Sequence, residues 1–350
     1  MKVTQETIAK AAGVSVTTVS FVLNGRAEAM KIPADTVQRV RNIADKLGFI
    51  GNYHARSLSL GRSNTIGLVT SGDGSDVRSR LYSPILTGMS VHARRRGYDL
   101  MMVADRPGME SQRCCISYLL EKRIDGAILL DPYYLPGLQW PDGQICVALG
   151  GWRDDMPRVE LDASSGVQAA LKHLRSLGHR RVFYVGRRTE NGIEVPDRVE
   201  AFHRVARKLK MASHDHFVKI DNTLDNRHSV DWFVKQYGRA IAAELAPPSG
   251  TTAYLCYNDT MALALGAVLR DRGLRVPKDV SIVGFDDLHA VCAIPALTTI
   301  SHMLPQLGER AVDLVADLMA AHSNTDTASL RIERVAAELV VRESTGPAPK

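Results

Sequence analysis

The stretch TQETIAKAAGVSVTTVSFVLNG, residues 4–25, has the pattern of two short helices joined by a tight turn. Its apolar residues recur at helical spacing on both sides of Gly13, a residue type suited to the left-handed conformation that ends many helices. Ser15 is a favourable N-cap for the second helix, which is largely small or polar and contains no acidic residue. Such a helix can enter the major groove of DNA without repelling phosphate, although the periodicity alone also fits an ordinary helical hairpin. The stretch therefore predicts a DNA-binding helix-turn-helix unit.

The positive net charge of +6 is concentrated at this end of the chain. Residues 1–62 contain nine lysine or arginine residues and four acidic residues, whereas the remainder contains 35 and 34. Contact with DNA phosphates requires such a basic excess. A solvated basic face on a small domain is the alternative, but it does not explain the asymmetry.

Composition excludes several classes of protein. A length of 350 residues predicts two or three domains, and 45% hydrophobic with 23% charged residues is typical of a soluble globular protein. No apolar run approaches the roughly 20 residues that span a bilayer, and the N-terminus lacks the apolar core of a signal peptide. The five cysteines form no CxxC pair and are expected to be reduced and mostly buried. The sequence thus predicts a cytoplasmic protein with no membrane partner, no metal site and no cofactor.

A third helix is predicted from Pro33 to about Leu47, with Pro33 as its first residue and Gly48 after its end. Three helices in so short a segment predict a small all-α headpiece. Residues 49–63 form a connector that can adopt about two helical turns, a length that is marginal alone in water. We expect it to fold when two copies meet on DNA, with a plain flexible linker as the alternative.

Apolar strand-like runs alternate with helical patterns from Thr65 onward. The strand-like runs are 66–70, 100–104, 127–130, 145–149, 182–185, 253–257 and 281–285, and the helical patterns are 84–96, 110–122, 164–177, 197–210, 227–245 and 259–272. This alternation predicts an α/β core of two Rossmann-like lobes with parallel sheets covered on both faces. A ligand would then lie outside the carboxyl ends of the strands, in the cleft between the lobes. No GxGxxG segment opens a helix and no P-loop is present, so a nucleotide cofactor is not indicated.

Nine segments follow one another in the order of a known family. They are IAKAAGVSVTTVSFVLNG (8–25), NYHARSL (52–58), RSNTIGLV (62–69), KHLRSLGHRRVFYVG (172–186), DRVEAF (197–202), CYNDTMALALG (256–266, with an additional Ala-Leu pair), GLRVPKDVSIVGFDD (273–287), PALTTI (295–300) and LVVRES (339–344). With these segments the chain resembles the LacI/GalR family of transcriptional regulators, the family of the lactose and purine repressors, essentially from end to end.

The resemblance implies a domain organisation. It comprises a helix-turn-helix headpiece (1–48), a hinge (49–63), an effector-binding and dimerisation core (64–343) of the periplasmic-binding-protein-like type I, and a tail (344–350). The first lobe would take about 64–162 plus 294–322 and the second about 163–292 plus 326–343, linked by three crossovers. The tail has no leucine heptads, so a homodimer is expected. Its candidate interface helices are 304–321 and the helix from Pro84.

The resemblance also assigns residues to DNA recognition. The family's base-reading positions fall on Val16, Thr17 and Phe21. Phe21 stands where arginine or histidine is common. It can contact a thymine methyl group, which predicts a preference for A·T beneath it, unless the ring packs on its own domain. In the hinge, Leu58 matches a minor-groove wedge, and Gly51 replaces the usual proline. The predicted contacts to a double-stranded, pseudo-palindromic operator are Ser15, Val16, Thr17, Thr18, Ser20, Phe21, Asn24, Arg26, Asn52, Ala55, Arg56 and Leu58.

Effector recognition is assigned by the resemblance to the cleft. Arg198 matches the arginine that holds the effector in family members, and the Asp286 carboxylate, at the end of SIVGFDD, can accept hydrogen bonds from sugar hydroxyls. The predicted effector-binding residues are Tyr82, Asp131, Trp152, Arg198, Asn258 and Asp286. A helix-capping role for Asp286 and a core role for Trp152 are the alternatives. Arg187 and Arg188 suggest an anionic effector such as a phosphosugar, unless they are merely solvated.

Together these features predict a repressor of carbohydrate-metabolism genes that is controlled by a sugar or phosphosugar and has no catalytic step. A sugar-processing α/β enzyme fused to a headpiece is the alternative. Its acid–base candidates would be Asp286 and Asp287, but adjacent side chains usually point apart. A secreted sugar-binding protein would need a signal peptide in place of the headpiece.

Overall fold

The computed structural model describes residues 3–51, 57, 60–70, 82–104, 108, 111–130, 140–150, 155–189, 192–193, 196–219, 230–321 and 330–350. It divides into two compact units, one formed by residues 1–65 with 118–125 and the other by residues 66–117 with 126–350.

The N-terminal part of the smaller unit contains three helices, α1 (Gln5–Ala12), α2 (Val16–Leu23) and α3 (Ala34–Lys46). The predicted turn between α1 and α2 is confirmed. Gly13 has a φ of 65° and ends α1, and the Ser15 side chain accepts a hydrogen bond from the backbone N of Thr18. These two local features bend the chain by 107° between the helices.

Short apolar side chains form the core of these three helices. The buried residues are Ile8, Ala9, Ala12, Val19, Val22, Ala27, Val40 and Ala44. Ala27 belongs to the segment 26–32, which is folded into turns by backbone hydrogen bonds such as Arg26 N to the Phe21 carbonyl at 2.8 Å. Helix α3 begins one residue later than predicted because Pro33, with a ψ of 142°, is extended and occupies the N-cap position.

The remaining elements alternate strands and helices, as predicted. The strands are β1 (Thr65–Val69), β2 (Asp99–Val103), β3 (Gly126–Leu129), β4 (Cys146–Leu149), β5 (Arg158–Asp162), β6 (Arg181–Thr189), β7 (Gly192–Ile193), β8 (Ala212–Lys219), β9 (Ala253–Cys256), β10 (Ser281–Asp286), β11 (Thr298–Ser301), β12 (Ile332–Ala336) and β13 (Glu338–Val340). The helices are α4 (Tyr82–Arg96), α5 (Ser111–Leu120), α6 (Ala163–Ser176), α7 (Pro196–Lys208), α8 (Val230–Glu244), α9 (Asp259–Asp271) and α10 (Leu304–Ala321), with a 3-10 turn at Ala290–Cys292.

The strands form two sheets, which confirms the prediction of two Rossmann-like lobes. The first sheet has the order β12-β5-β4-β3-β1-β2, and its pairs from β12 to β1 are parallel. The second has the order β13-β11-β10-β9-β6-β7, with β8 also paired to β6. In it, the pairs from β11 to β6 and the pair β6–β8 are parallel, whereas β13 and β7 are antiparallel additions.

The chain passes between the two sheets at three places: from β5 into α6, from β11 into α10, and between β12 and β13. Two segments lie in the sheet opposite to the one expected. β11 was expected in the first lobe but pairs with β10 in the second, and β12 was expected in the second lobe but pairs with β5 in the first. In both cases the crossover lies after the strand, and not before it.

Helices α4 and α10 pack against each other on the first sheet, so closely that only glycine fits at the contact. A Cβ atom on Gly88 would lie 2.0 Å from the carbonyl O of Pro305, and one on Gly308 would lie 2.2 Å from the carbonyl O of Ile85. Nine of the 18 residues of α10 are buried within its own lobe. Its place in a dimer interface stays a prediction.

The C-terminal residues form no helix in the described chain, but they are docked on the second lobe. Ser344 is buried, and its Oγ donates to the Ile282 carbonyl and accepts from the backbone N of Thr298. The His179 ring lies within hydrogen-bonding distance of Ser281 Oγ and the Gly346 carbonyl, and the Ala348 backbone N donates to the Leu177 carbonyl. The tail thus holds the start of strand β10, at Ser281 and Ile282, through side-chain and backbone hydrogen bonds.

Candidate DNA-reading surface and effector cleft

Helix α2 has one face in the headpiece core and one face free. Val19 and Val22 are buried, whereas Val16 is 42% exposed and Thr17 is also exposed. Ser20, Phe21 and Asn24 are half-buried and follow Val16 and Thr17 along the same side, because residues three and four apart share a helix face. We call the face formed by Val16, Thr17, Ser20, Phe21 and Asn24 the reading face.

The polar side chains at the two ends of α2 are engaged in local contacts. Ser15 Oγ accepts from the Thr18 backbone N at 3.0 Å and lies 2.8 Å from Thr18 Oγ1. Asn24 Nδ2 donates to Ser20 Oγ at 3.3 Å. Each of these side chains keeps part of its hydrogen-bonding capacity, but its orientation is set by its partner. Arg26, which follows the helix, is exposed.

Phe21 is half-buried but does not belong to the apolar cluster of the headpiece. The partly buried side chains that pack against that cluster are Val3, Val14, Leu23, Ile32, Val37, Ile43 and Phe49. A ring outside this set is free to contact a ligand of the reading face. The arrangement favours the DNA-contacting interpretation of Phe21 over packing on its own domain, and the role itself stays a prediction.

Six of the predicted site residues lie outside the described residues. Asn52, Ala55, Arg56 and Leu58 are predicted DNA contacts in the segment 49–63, and Asp131 and Trp152 are predicted effector contacts. Their assignments stay predictions.

Three charged or titratable side chains meet where strands of the second sheet end. Asp286 is the last residue of β10, and its neighbour in the parallel strand β11 is Ser301, so that His302 follows beside it. Arg198 enters from the first turn of α7. His302 Nε2 lies 3.0 Å from Asp286 Oδ1 and 3.0 Å from Arg198 Nη2, and Arg198 Nη2 lies 3.7 Å from Asp286 Oδ1. We call Arg198, Asp286 and His302 the cleft cluster.

The Arg198 guanidinium is buried and held in one orientation. Its Nη1 donates to the Tyr257 carbonyl at 2.6 Å, and its Cζ lies 3.8 Å from the centre of the Phe285 ring, a cation–π distance. Within the part of the chain that the structure describes, its Nε is buried without a hydrogen-bond partner. A buried donor without a partner is costly, so a ligand oxygen that reaches Nε would remove that cost.

Asp259 supports the segment that carries Asp286, a role that the sequence pattern did not reveal. The carboxyl is 1% exposed, accepts from Thr299 Oγ1 at 2.5 Å and from the backbone N of Leu288 at 2.9 Å, and leaves no room for a side chain at Gly284. Burial, with a further contribution from Asp286, raises the pKa of Asp259 to about 7. Asp259 is thus a positioning residue for the end of β10.

Two consecutive aspartates with unusual backbone angles lie at the end of strand β10: Asp286 is its last residue and Asp287 follows it. Asp286 has a φ of 100° and Asp287 a φ of 60°, in the region that favours glycine. Asp287 accepts from Arg342 Nη2 at 2.7 Å, whereas Asp286 faces the other two residues of the cleft cluster. The two carboxylates therefore have different partners, as their adjacency suggested. Local backbone strain of this kind is often found at ligand-binding positions.

Two further predicted effector contacts have structural roles in the described chain. Asn258 is the N-cap of α9, and its Oδ1 accepts from the Met261 backbone N at 2.8 Å. Its Nδ2 is the part of the amide that is left for a ligand. Tyr82 begins α4 and is buried in the apolar cluster of the first lobe. Both effector-binding assignments stay predictions.

Among the described residues, no group of three or more His, Cys, Asp or Glu side chains is arranged to hold a metal ion. In the same residues no single helix is long and apolar enough to cross a membrane; only the bent pair α1 and α2 reaches that length and composition together.

Two sequence families match the chain. "Bacterial regulatory proteins, lacI family" matches residues 5–52, and "Periplasmic binding protein-like domain" matches residues 171–345, half of the chain. The chain belongs to the lacI family of bacterial regulatory proteins.

Relatives of this lacI-family protein match it over nearly its whole length. The "HTH-type transcriptional repressor PurR" of Haemophilus influenzae is 27% identical over 343 residues, which covers 96% of this chain and 97% of the relative. The "HTH-type transcriptional regulator DegA" of Bacillus subtilis is 29% identical over 367 residues, which covers 99% of each chain.

Solved structures share the fold of this lacI-family chain. The lac repressor dimer bound to operator and the anti-inducer ONPF has a TM-score of 0.69 at 23% identity, covering 99% of this chain and all of that one. A complex of the transcriptional regulator CelR with cellobiose has a TM-score of 0.61 at 24% identity, covering 98% and 99%. The predicted fold class, a helix-turn-helix headpiece with a two-lobed α/β core, is thereby confirmed.

Proposed function

We propose that this lacI-family protein is a transcriptional repressor that binds a pseudo-palindromic operator as a homodimer in the cytoplasm. A small sugar-type effector in the cleft would control it, and carbohydrate-metabolism genes would be its targets. The observation that carries the proposal is the pairing of a free reading face on α2 with a buried, charged cleft cluster in one chain. Relatives named as repressors over their full length support the first half of it.

The reading face suits the major groove. It exposes Val16 and Thr17, carries no acidic residue and follows a well-capped helix N-terminus, a feature favourable for nearby phosphate. Its contacts to base edges would come from Thr17 and from apolar contact by Val16 and Phe21 with thymine methyl groups. Such a face reads sequence mainly through A·T pairs.

Operator selection from random duplex DNA at fixed salt tests this part. We expect a palindrome with A·T under Phe21 and a flexible central step where Leu58 would insert. Binding that depends on salt but not on sequence would argue against the proposal if it persisted with candidate sugars present.

The hinge can be tested in the same assay. Leu58→Ala should lower affinity for the selected operator far more than affinity for random duplex, because a wedge acts only where the central step can kink. An equal loss on both duplexes would refute the wedge assignment.

The charge of the cleft cluster favours an uncharged polar effector. The Arg198 guanidinium faces the Asp286 carboxylate, so the cluster offers little excess positive charge to an anion. A pair of neighbouring hydroxyls can supply a donor to Asp286 and an acceptor to Arg198 Nε. The phosphosugar alternative would depend on Arg187 and Arg188, of which Arg188 is exposed.

A thermal-shift screen distinguishes the two effector classes. The panel would contain D-glucose, D-galactose, D-ribose, cellobiose and glucose 6-phosphate. We expect a neutral sugar to raise the melting temperature of the wild type and of Asp287→Asn, but not of Asp286→Asn. Asp287→Asn is the matched control because it removes the adjacent carboxylate, which pairs with Arg342. A shift that survives Asp286→Asn would place the sugar elsewhere.

An enzyme of sugar metabolism is the weaker candidate. Its acid–base pair would be Asp286 and Asp287, but these carboxylates have separate cationic partners and do not face each other. Turnover of a panel sugar that is lost in Asp286→Asn would favour the enzyme.

A further inference from the structure

His302 occupies one of the three passages between the lobes. Strand β11 of the second sheet ends at Ser301, and helix α10 of the first lobe begins at Leu304, so only His302 and Met303 join them. Met303 has a φ of 49° and packs against the apolar cluster of the first lobe. Only Met303 therefore separates His302 from the start of α10.

The two hydrogen-bonding partners of the His302 ring require opposite protonation states of its Nε2 atom. His302 Nε2 lies 3.0 Å from both Arg198 Nη2 and Asp286 Oδ1. A guanidinium can only donate a hydrogen bond, and a carboxylate can only accept one. Nε2 satisfies Asp286 when it carries the proton, and it satisfies Arg198 when it does not.

No protonation state removes the conflict. When both ring nitrogens are protonated, Nε2–H faces Arg198, which is also a donor. When Asp286 is protonated, it competes with Arg198 as a donor to the single lone pair on Nε2. The charged groups that face the ring in the described chain are Asp286 from β10 and Arg198 from α7. Burial lowers the pKa of the ring, although Asp286 acts in the opposite direction, so the ring is neutral near pH 7 and has one donor and one acceptor nitrogen.

Neighbouring side chains restrict the position of the His302 ring. His302 is 8% exposed, and the edge of its ring packs against Phe285 at a centre-to-centre distance of 5.0 Å and an interplanar angle of 81°. Arg198 is fixed by the Tyr257 carbonyl and by the same Phe285 ring. Resolution of the conflict thus has to come from a small shift of the cluster or from a ligand.

We infer that His302 is a two-position switch of the cleft, a ring that pairs with either Asp286 or Arg198, so that a ligand engaging one of them transfers the ring to the other. The inference rests on the proposed function for its ligand, a compound with neighbouring hydroxyls. A hydroxyl that donates to Asp286 releases the ring to accept from Arg198. The accompanying shift of the segment His302–Met303 then alters the start of α10 and with it the relation of the two lobes.

The test uses two variants of the full-length protein that each leave the ring one partner. Histidine is labelled with nitrogen-15 and carbon-13 in an otherwise deuterated protein, and the His302 signals are assigned by their loss in His302→Gln. In Asp286→Ala only Arg198 remains, so Nε2 should be unprotonated and the pKa of the ring should fall below that of the wild type. In Arg198→Met only Asp286 remains, so Nε2 should carry the proton and the pKa should rise.

The readout is the protonation of one named atom, Nε2 of His302. Opposite tautomers in the two variants, with pKa values displaced in opposite directions from the wild type, support the switch. The same tautomer in both variants overturns it. If either variant fails to fold, Asp286→Leu and Arg198→Leu carry the same expectations, because neither leucine side chain can hydrogen-bond to the ring.

The measurement needs neither operator nor effector. The same His302 tautomer in both variants therefore would not contradict the proposed repressor function. Failure of the operator selection, in turn, would not change the tautomer result.

Discussion

Phe21 lies on the reading face between a core residue and a residue with a local side-chain partner. Its neighbour Val22 is buried, and Ser20 is paired with Asn24, whereas the Phe21 ring is outside the apolar cluster. A half-exposed aromatic ring on a DNA-facing helix can read a methyl group but no polar base edge. If Phe21 contacts a base as proposed, phenylalanine restricts recognition at this position to thymine and, by pairing, to adenine.

Phe21→Ala should weaken operator binding by roughly tenfold, since loss of a base contact costs about 1–3 kcal/mol. The variant should also lose the A·T preference at one position of each half-site, because the methyl contact is gone. Fluorescence anisotropy on operator duplexes substituted at that position measures both effects. Gln38→Ala, on the exposed face of α3, is the control. An unchanged preference in Phe21→Ala would mean that the ring does not face the base.

Asp259 makes stability depend on pH. Burial raises its pKa to about 7 in the folded protein, above the ordinary value of 3.8, so the folded state holds the proton over the interval between them. Stability from this group is fully present below about pH 4 and is lost as the pH rises to about 7, by an amount on the order of 4 kcal/mol at most.

Asp259→Asn should therefore raise the melting temperature at pH 8 and change it little at pH 5. The amide resembles the protonated carboxyl, with one oxygen for the Leu288 backbone N and a donor toward Thr299. Calorimetry at the two pH values gives the comparison, with Asp287→Asn as the control carboxylate. A loss of stability at pH 8 would show that the folded protein favours the charged carboxylate, which contradicts a raised pKa of Asp259.

The cleft cluster was only partly predictable at this scale. Arg198 lies in the recognisable segment DRVEAF and Asp286 in SIVGFDD, and the structure brings Arg198 Nη2 to 3.7 Å from Asp286 Oδ1. His302 and Asp259 were not singled out, because each acts through a partner that is 40 or more residues away in the chain. Only the pairing of β10 with β11 and the packing of α9 beneath them reveal those contacts.

Among the elements, buried apolar strands were predictable and polar strands were not. The runs that gave β1, β3, β4, β9 and β10 are continuously buried. The strand β8, ASHDHFVK, lies at an edge of the second sheet and is polar and mostly exposed or half-buried, so its sequence resembles a loop. β11 is central and buried, but its sequence TTIS has too few apolar residues to be recognised.

The packing of α4 on α10 depends on the absence of a side chain at Gly88. Gly88→Ala should lower the free energy of unfolding by about 1–3 kcal/mol, because the new methyl would meet the Pro305 carbonyl and force the helices apart. Urea unfolding measures the change. Gly238→Ala in α8, where no atom lies within 4 Å of the added carbon, should be neutral or stabilising. Equal stabilisation of both variants would contradict the tight contact.

At the scale of the whole chain, the C-terminal tail joins segments that are far apart in sequence. Residues 344–348 contact β10, the end of α6 and the Thr298 backbone N. Two histidines take part: His173 Nε2 lies 2.9 Å from Thr345 Oγ1, and His179 is buried against Gly346. Sequence patterns showed only that this segment is not a helix.

Deletion of residues 345–350 should lower the melting temperature by roughly 5 °C, since each lost hydrogen bond contributes about 1 kcal/mol and His179 loses a buried partner. Deletion of residues 349–350 alone should have little effect. Differential scanning calorimetry of the two truncated proteins tests the difference. The same melting temperature in both would mean that the docked tail adds no stability.

The two faces of α2 also have an evolutionary consequence. Because the buried face holds the headpiece together, substitutions at Val16, Thr17 or Phe21 can accumulate at little cost in stability. The cleft cluster lacks this freedom, since Arg198, Asp286 and His302 depend on one another. Descendants of this protein should therefore change the genes they control in single mutational steps, while the signal they respond to changes slowly and by linked substitutions.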